Sequence, residues 1–531
     1  MATVQAQTDP GSLERTRPQI DPDPARRATP QVIAPAAPPH SQSGIGQSFI
    51  LSAVVIDGAT VFDPGELAQI FEPYLATTVR QSELEKIAQS ITARYRKAGY
   101  LLSYAVVPAQ SVQSGIAHIR VVEGYVGRVR LASDVRTATA VRDIFESLAA
   151  ERPLHRDRLE RAIGLGRDVP GVIISDVQIS RSPEDPALHV LTVVMAKDRI
   201  RGLAYIDNRG TAPDARMRGY SSFSISSLLV PGDQLQADLF VIPYAKFRYA
   251  FGQVKGSVPI GSNGLRLSAA ASSGDQFERL AGPNQNGVAR QLVGDLSYPF
   301  VKSRALSVAG TLQFGALKSE LEQLGTVVQR DRLQVARAWL DLIRLAGTRI
   351  DARIGVSQGL DLGPATDRGD PLASRLFASA NFTKFNASVQ VTAPLSDRVR
   401  VRFDSIAQYS TRPLLAPEEF ALGGSRIGRA FDFNENTGDH GIGAMIELVY
   451  RLDGTKRFVD NIEVFAFADG GGAFRDRPSL GLAKEKWLAS VGAGARFSAF
   501  GILWSPEIGL PVALSDGDRG VRAYFSTTKV F

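Results

Sequence analysis

Near Arg201 the spacing of apolar residues changes from a mixed pattern to a strict alternation. Beyond that point Thr348, Ile350, Ala352, Ile354 and Val356 fall on one face of a segment, and Arg349, Asp351, Arg353 and Ser357 on the other. Val399, Val401 and Phe403 likewise oppose Arg398, Arg400, Arg402 and Asp404. A period of two predicts strands. A charged face opposite an apolar one is the pattern of a barrel in lipid, where every backbone polar group must be paired and only closure removes the sheet edges. At about 10 residues per strand plus turns and longer loops, residues 202–531 accommodate about 16 antiparallel strands. A pair of soluble β-sandwiches would alternate similarly in any one strand. Recurrence of the charged faces and the aromatic residue at the end, Phe531, favour the barrel.

Before Arg201 the pattern predicts two successive α+β modules, 48–124 and 125–201, each ordered β-α-α-β-β. In the first, a strand over Phe49 to Ile56 precedes helical spacing through Leu67, Ile70 and Phe71. A second helix carries Leu84, Ile87, Ile91 and Tyr95 on one face, with Ser82 and Glu85 spaced as a capping box and Gly99 as its stop. Strands over Leu101 to Val107 and Ala117 to Val122 complete it. The second module repeats this with a strand at Val126 to Leu131, helices at Val141 to Leu148 and Arg156 to Leu165, and strands at Val172 to Ser180 and Leu188 to Val194.

The N-terminal residues read differently. Ser12 is placed to cap a short helix over Leu13 to Arg17, which Pro18 stops. Residues 18–47 hold seven prolines between Pro18 and Pro39 and few large apolar side chains, so they form a stiff, extended linker rather than a core. Val4-Gln5-Ala6 resembles the small-residue end of a signal peptide, from which a trimmed start is expected.

Composition narrows the choices. The chain is 44% hydrophobic with no apolar run long enough for a membrane helix, and it has no cysteine, which suits an oxidising envelope compartment. Its net charge of +7 would permit nucleic-acid binding, but no basic cluster interleaves with aromatics. The histidines show no metal-ligand spacing, so no metal and no cofactor are expected. Gly355-Val356-Ser357-Gln358-Gly359 fits the nucleophile-elbow formula, yet it continues a strand alternation instead of turning into a helix, so no enzyme is expected.

Several motifs together resemble a known family. Tyr95-Arg96-Lys97-Ala98-Gly99-Tyr100, Val107-Pro108-Ala109-Gln110 and Val122-Glu123-Gly124 are similar to the first polypeptide-transport-associated (POTRA) domain of two-partner secretion transporters of the hemolysin activation/secretion type. Pro153-Leu154, Leu159-Glu160-Arg161-Ala162 and Asp168-Val169-Pro170-Gly171-Val172 are similar to the second, and Asp207-Asn208-Arg209-Gly210 to the first barrel hairpin. Gly428-Arg429-Ala430-Phe431, followed by Asp439 and Glu447, resembles a sixth outer loop bearing a Val-Arg-Gly-Tyr signature, and Phe467-Ala468-Asp469-Gly470-Gly471 matches Phe-x-Asp-x-Gly on a barrel strand. The chain departs from the signature at Gly428, Ala430 and Phe431.

The resemblance implies a lock between loop and barrel made by Arg429, Phe431, Phe467, Asp469 and Gly471, with Arg429 or Arg426 pairing with Asp469. It implies a plug helix at residues 9–17, a linker at 18–47, and an outer-membrane barrel at 202–531 whose Phe531 signals insertion by the barrel-assembly machinery. Client binding by strand addition is expected at the open POTRA edges, through Tyr104 and Val106 and through Ile174 and Val177. The implied function is export of a large cognate exoprotein, an adhesin, hemolysin or toxin bound through its N-terminal secretion domain. The protein is expected as a monomer in outer-membrane lipid with its POTRA domains in the periplasm, without nucleic acid. A general assembly factor of the same superfamily remains the alternative, and a passive porin would have no use for two receptor modules.

Overall fold

The computed structural model describes residues 31–33, 48–112, 114–132, 138–210, 216–244, 246–279, 284–452, 459–476, 484–514 and 520–531. The expected plug helix at 9–17 lies outside the described residues, as does the linker apart from 31–33. Two units emerge, Ala25–Asp198 and one that contains Arg199–Phe531.

In the first unit a short strand β1 (Gln31–Ile33) precedes the first α+β module: β2 (Phe49–Ile50), β3 (Ala53–Asp57), α1 (Pro64–Phe71), β4 (Thr78–Val79), α2 (Gln81–Lys97), β5 (Tyr104–Val106) and β6 (Ile116–Val122). Pro64 opens α1, where its missing amide costs nothing. The apolar stripe of α2, Leu84, Ile87, Ile91 and Tyr95, is buried against Ala117, Ile119 and Val121 of β6. Its capping box closes at a different place from the Ser82/Glu85 spacing, because β4 delivers Arg80 as the residue before the first turn. The Glu83 carboxylate then accepts the Arg80 amide at 2.8 Å. Sheet order is β3-β6-β5.

Glu123 fastens this module. It accepts the Thr60 amide (2.7 Å), the Thr60 hydroxyl (2.5 Å), the Val61 amide (3.1 Å) and the Tyr95 hydroxyl (2.7 Å), tying the loop before α1 to α2.

The second module comprises β7 (Tyr125–Ala132), α3 (Ala138–Glu146), α4 (Arg156–Asp168), β8 (Val172–Arg181) and β9 (Leu188–Lys197). Phe145, Leu159, Ile163, Val177 and Leu191 fill its core. His155 joins the two modules: its ring accepts the Asp157 amide at 3.2 Å to cap α4, while its other nitrogen donates to the Ala98 carbonyl at 3.0 Å. Gly99, left-handed at φ 97°, is required here, since a Cβ would stand 2.4 Å from that ring.

The sheet of the second module runs β1-β8-β9-β7. Its outermost member is the linker segment β1, lying parallel to β8 with Gln31 opposite Asp176, Val32 opposite Val177 and Ile33 opposite Gln178.

The second unit is a closed antiparallel barrel of sixteen strands. They are β10 (Ile200–Asp207), β11 (Arg218–Ser226), β12 (Gln234–Ile242), β13 (Phe247–Ile260), β14 (Leu265–Glu278), β15 (Gln285–Lys302), β16 (Leu306–Gln323) and β17 (Thr326–Ala346) in the first half. The second half holds β18 (Thr348–Leu360), β19 (Thr383–Pro394), β20 (Val399–Ser410), β23 (His440–Arg451), β24 (Val459–Phe474), β25 (Glu485–Ala499), β26 (Ile502–Leu514) and β27 (Arg522–Val530). The remaining two, β21 (Phe420–Leu422) and β22 (Asn436–Gly438), form a hairpin inside the sixth loop.

Sixteen strands with an apolar outer face match the alternation in the sequence. Leu292, Leu312, Ile354, Ile446 and Ile508 point outward and are all more than half exposed, which suits hydrocarbon and not water. Among the described residues no helix is long and apolar enough to cross a membrane. Closure is made by β10 against β27, from Leu203 opposite Val530 to Asp207 opposite Ser526. Phe531 extends that seam by exchanging backbone hydrogen bonds with Gly202 at 2.6 and 3.0 Å.

Candidate functional site: the sixth loop and the barrel wall

The β21–β22 hairpin carries loop six back against the inner wall. Gly423, Gly424 and Gly428 take φ values of 106°, 108° and 80°, so the tip turns where L-residues with side chains resist turning. Ala430, where the resembling family has glycine, is not among the left-handed residues, and the alanine costs no strain there. Its neighbour on the wall is Gly509, at which a Cβ would come within 3.1 Å of the Ala430 methyl. Gly471 serves the same purpose: a Cβ there would meet the Ile442 carbonyl at 2.3 Å and Leu422 of the loop at 2.8 Å. Phe431 packs with Phe420, Leu422, Ile427, Met445, Ala473 and Leu488 in an apolar cluster formed by loop and wall.

Arg429 is buried, 5% exposed, and its ion-pair partners correct the expectation from the sequence. Its Nη1 donates to Glu447 at 2.7 Å; its Nη2 and Nε both donate to Glu507, the latter at 3.2 Å. From Arg429, Asp469 receives the backbone amide, at 3.1 Å, and it also accepts the Ser490 hydroxyl at 2.5 Å and the Gly428 amide. The reason is reach: with the amide docked on Asp469, the extended side chain passes over Phe467, 3.9 Å from the ring centre, and arrives at the two glutamates beyond. Arg426, the second candidate for Asp469, pairs instead with Asp404 on β20 at 2.7 and 2.9 Å.

Glu447 is the hub. Fully buried on β23, it also accepts Arg402 at 3.0 Å and both terminal nitrogens of Arg496 at 2.8 Å. Three guanidiniums about one carboxylate would repel unless further acids were near, and Glu507 supplies the second. Glu507 in turn accepts Arg209 at 2.6 Å, and Arg209 also donates to the Arg429 carbonyl at 2.9 Å while lying 3.9 Å over Tyr524. The loop tip is thereby tied to the first hairpin and to β26 and β27, on both sides of the closing seam. Arg218, paired in turn with Asp207, stacks on Phe433 just past the tip at 4.1 Å. The loop base is held separately by Asp439, which accepts Arg375 at 2.5 and 3.0 Å and the Leu414 amide at 2.6 Å.

Glu507 and Arg209 carried no motif that marked them as partners of the loop. The available signal was parity: Glu507 alternates with outward Ile508 and Pro506 and therefore faces the lumen, where a lone acid calls for a cation.

The two sheet edges expected to bind the client differ from their expected open state. At β8, Ile174 and Val177 point into the core and the edge main chain at Asp176–Gln178 is taken by β1. At β5 the strand is three residues long, Tyr104 is buried beneath the Arg181 guanidinium at 4.7 Å, and the Ala105 amide donates to Thr92 of α2 at 2.9 Å. Val106 is half-buried opposite Arg120. Both edges are covered because an open strand edge is an aggregation liability, and the chain's own atoms blunt it.

Ser357 of the elbow-like motif sits mid-strand in β18, buried and without a histidine partner among the described residues. Among those residues no acidic or histidine cluster fits a metal ion.

Comparison with known proteins agrees with the architecture. A model of the ShlB-type POTRA domain matches residues 49–124, and a model of the haemolysin secretion/activation protein ShlB/FhaC/HecB matches residues 189–497. The heme/hemopexin transporter protein HuxB of Haemophilus influenzae strain 86-028NP is 23% identical over 519 residues, covering 93% of this chain and 89% of its own. The outer membrane transporter CdiB of Escherichia coli is 24% identical over 524 residues, covering 93% and 84%. The solved structure of CdiB from Escherichia coli superposes with a TM-score of 0.74 at 19% identity over 100% of this chain and 98% of that one. BamA from Haemophilus ducreyi, lacking its first three POTRA domains, reaches 0.52 at 13% identity over 91% and 100%, so the barrel plan extends beyond secretion transporters. With its ShlB-type POTRA domain, its closed barrel and a family match across most of that barrel, the chain belongs to the haemolysin secretion/activation family and is an outer-membrane transporter of two-partner secretion, its POTRA domains in the periplasm.

Proposed function

We propose that the client, one large exoprotein, is captured through its N-terminal secretion domain by strand addition at β8, where it displaces β1. The observation that carries this reading is the parallel pairing of Gln31–Ile33 with Asp176–Gln178: a main-chain edge that accepts one extended segment accepts another of better complementarity. The occupied edge then acts as a selectivity step, since a client must outbind a segment tethered at high effective concentration.

Within the barrel, the Arg429 clasp holds loop six against the wall in the resting state, and passage of the client requires that clasp to open. The chain works as a monomer without cofactor or catalytic chemistry, and the terminal strand ending in Phe531 is what the assembly machinery recognises. A general assembly factor of the same superfamily would share the barrel and loop but would serve many clients. A photo-reactive side chain at Gln178 separates the two readings. Crosslinking to one exoprotein during export supports the dedicated transporter; adducts with many outer-membrane proteins, or none while export continues, contradict it.

A further inference from the structure

On the outward face of the barrel, three cations stand directly opposite one another across three neighbouring strands. Arg290 of β15 faces Lys318 of β16, and Lys318 faces Arg332 of β17. Like charges directly across a ladder are destabilising, with Cβ atoms about 5 Å apart, unless something anionic lies over them. Among the described residues the acid that pairs with this row is Glu320. Glu320 on the next row out binds Lys318 at 2.7 Å through one oxygen and Arg330 at 2.6 Å through the other, which uses its carboxylate up. Among the described residues neither Arg290 nor Arg332 has a carboxylate partner.

The surroundings give the row its orientation. Toward the middle of the barrel the same face continues through Leu292, Phe314, Leu312 and Leu296, apolar and exposed. Toward the β16–β17 hairpin it continues through Glu320, then Glu322, with Asp275 of β14 in the Glu320 row. The row of Arg290, Lys318 and Arg332 therefore borders the hydrocarbon, and the acids, with Arg330 paired among them, stand beyond it. The chain enters the barrel at Ile200 from the periplasmic domains, so the hairpin end is the outer one. An aqueous surface would have no reason to segregate its signs this way, whereas the outer leaflet presents fixed phosphates at that depth.

We propose that Arg290, Lys318, Arg332 and Arg330 form a binding site for the phosphorylated headgroup of an outer-leaflet glycolipid, the lipid A portion of lipopolysaccharide. Acyl chains lie along Leu292 and Phe314, and the phosphate bridges Arg290 and Arg332 over Lys318. Arginine suits this task because its planar fork meets phosphate bidentately. The proposal rests on the barrel spanning the outer membrane and is independent of how the client is recognised.

The test uses the full-length chain refolded in detergent free of lipopolysaccharide, with lipid retention read by native mass spectrometry and the unfolding midpoint by heat-dependent gel mobility. Bisphosphorylated lipid A is expected to be retained and to raise the midpoint, while dephosphorylated lipid A and inorganic phosphate do neither. The double variant Arg290→Gln/Arg332→Gln, confirmed as folded by its unheated mobility, should retain it at least about tenfold more weakly, given two lost cations at a lipid surface. Glu320→Gln, which removes the competing acid, should retain it more tightly, and Arg344→Gln on the same face at the periplasmic end should leave it unchanged. The proposal is overturned if the wild-type chain retains no lipid A, if the double variant retains it equally well, or if dephosphorylated lipid A or inorganic phosphate stabilises as much.

Discussion

Arg429 gives Asp469 its backbone amide, at 3.1 Å, and reserves its guanidinium for Glu447 and Glu507. The aspartate positions the turn of the loop, and the glutamates hold its charge. Those two tasks respond differently to substitution. Glu507→Gln takes one of two carboxylates from Arg429 and the carboxylate from Arg209 in a buried site, and should ease opening of loop six by about 3 kcal/mol. Asp469→Asn keeps an acceptor for the amide and should cost only about 1 kcal/mol. Hydrogen exchange of the amides from Arg426 to Phe433 measures both, and equal effects would contradict the division of labour.

Glu123 makes the first POTRA module sensitive to acid. Burial pushes its carboxyl up, but the Thr60 hydroxyl and amide, the Tyr95 hydroxyl and the Val61 amide outweigh that and hold it below its usual value of 4.5. A carboxylate whose folded pKa is depressed stabilises the fold fully above its unfolded pKa, and the stabilisation fades as pH falls through the folded value. Glu123→Gln should therefore destabilise the unit 25–198 at pH 7 by about 1 to 3 kcal/mol and flatten the acid limb of its pH–stability curve. Denaturant titrations between pH 7 and pH 3 show whether the two curves converge in acid as expected.

Replacing Gln31–Ile33 by Gly-Ser-Gly lowers the strand propensity of β1 without changing the length of the chain. The affinity for the client's secretion domain should rise about tenfold, equivalent to about 1.4 kcal/mol of relieved competition. Calorimetry on the two proteins decides it, and unchanged or weaker binding would mean that β1 merely shields the edge.

The seam offers a steric prediction. A Cβ on Gly202 would lie 2.1 Å from the Phe531 ring, so Gly202→Val forces the terminal aromatic off the first strand. The fraction of the chain reaching the outer membrane in folded form should fall several-fold, and restoring space with Phe531→Ala in the same chain should not recover it if the aromatic is itself the insertion signal.

The two periodicities told most of the architecture, because lipid and lumen impose opposite polarity on successive residues of every barrel strand, as at Ile354 and Arg353. The POTRA helices were legible through Leu84, Ile87, Ile91 and Tyr95. Their caps were less so, since Arg80 acts through its backbone and leaves no side-chain signature. Within the lock, Arg429, Phe431 and Gly471 were legible from motif spacing, but the acid Glu507 that holds Arg429 and the cation Arg209 that shares that acid were not: Glu507 lies 78 residues away from Arg429 in sequence and Arg209 lies 220. Pairing at that separation is set by barrel closure, which no local pattern encodes. The covered edge of β8 was hidden for a related reason, as three residues in a proline-rich stretch carry no strand signal until an edge is offered to them.

The most direct test of the account is export of the exoprotein client by cells carrying Arg429→Ala, with the amount of folded barrel in the outer membrane measured alongside. With Glu447 and Glu507 left without their loop partner, the barrel should still insert while client appearing outside the cell falls at least about tenfold. Export at the wild-type level from an equally abundant Arg429→Ala barrel would contradict a role for the clasp in transport.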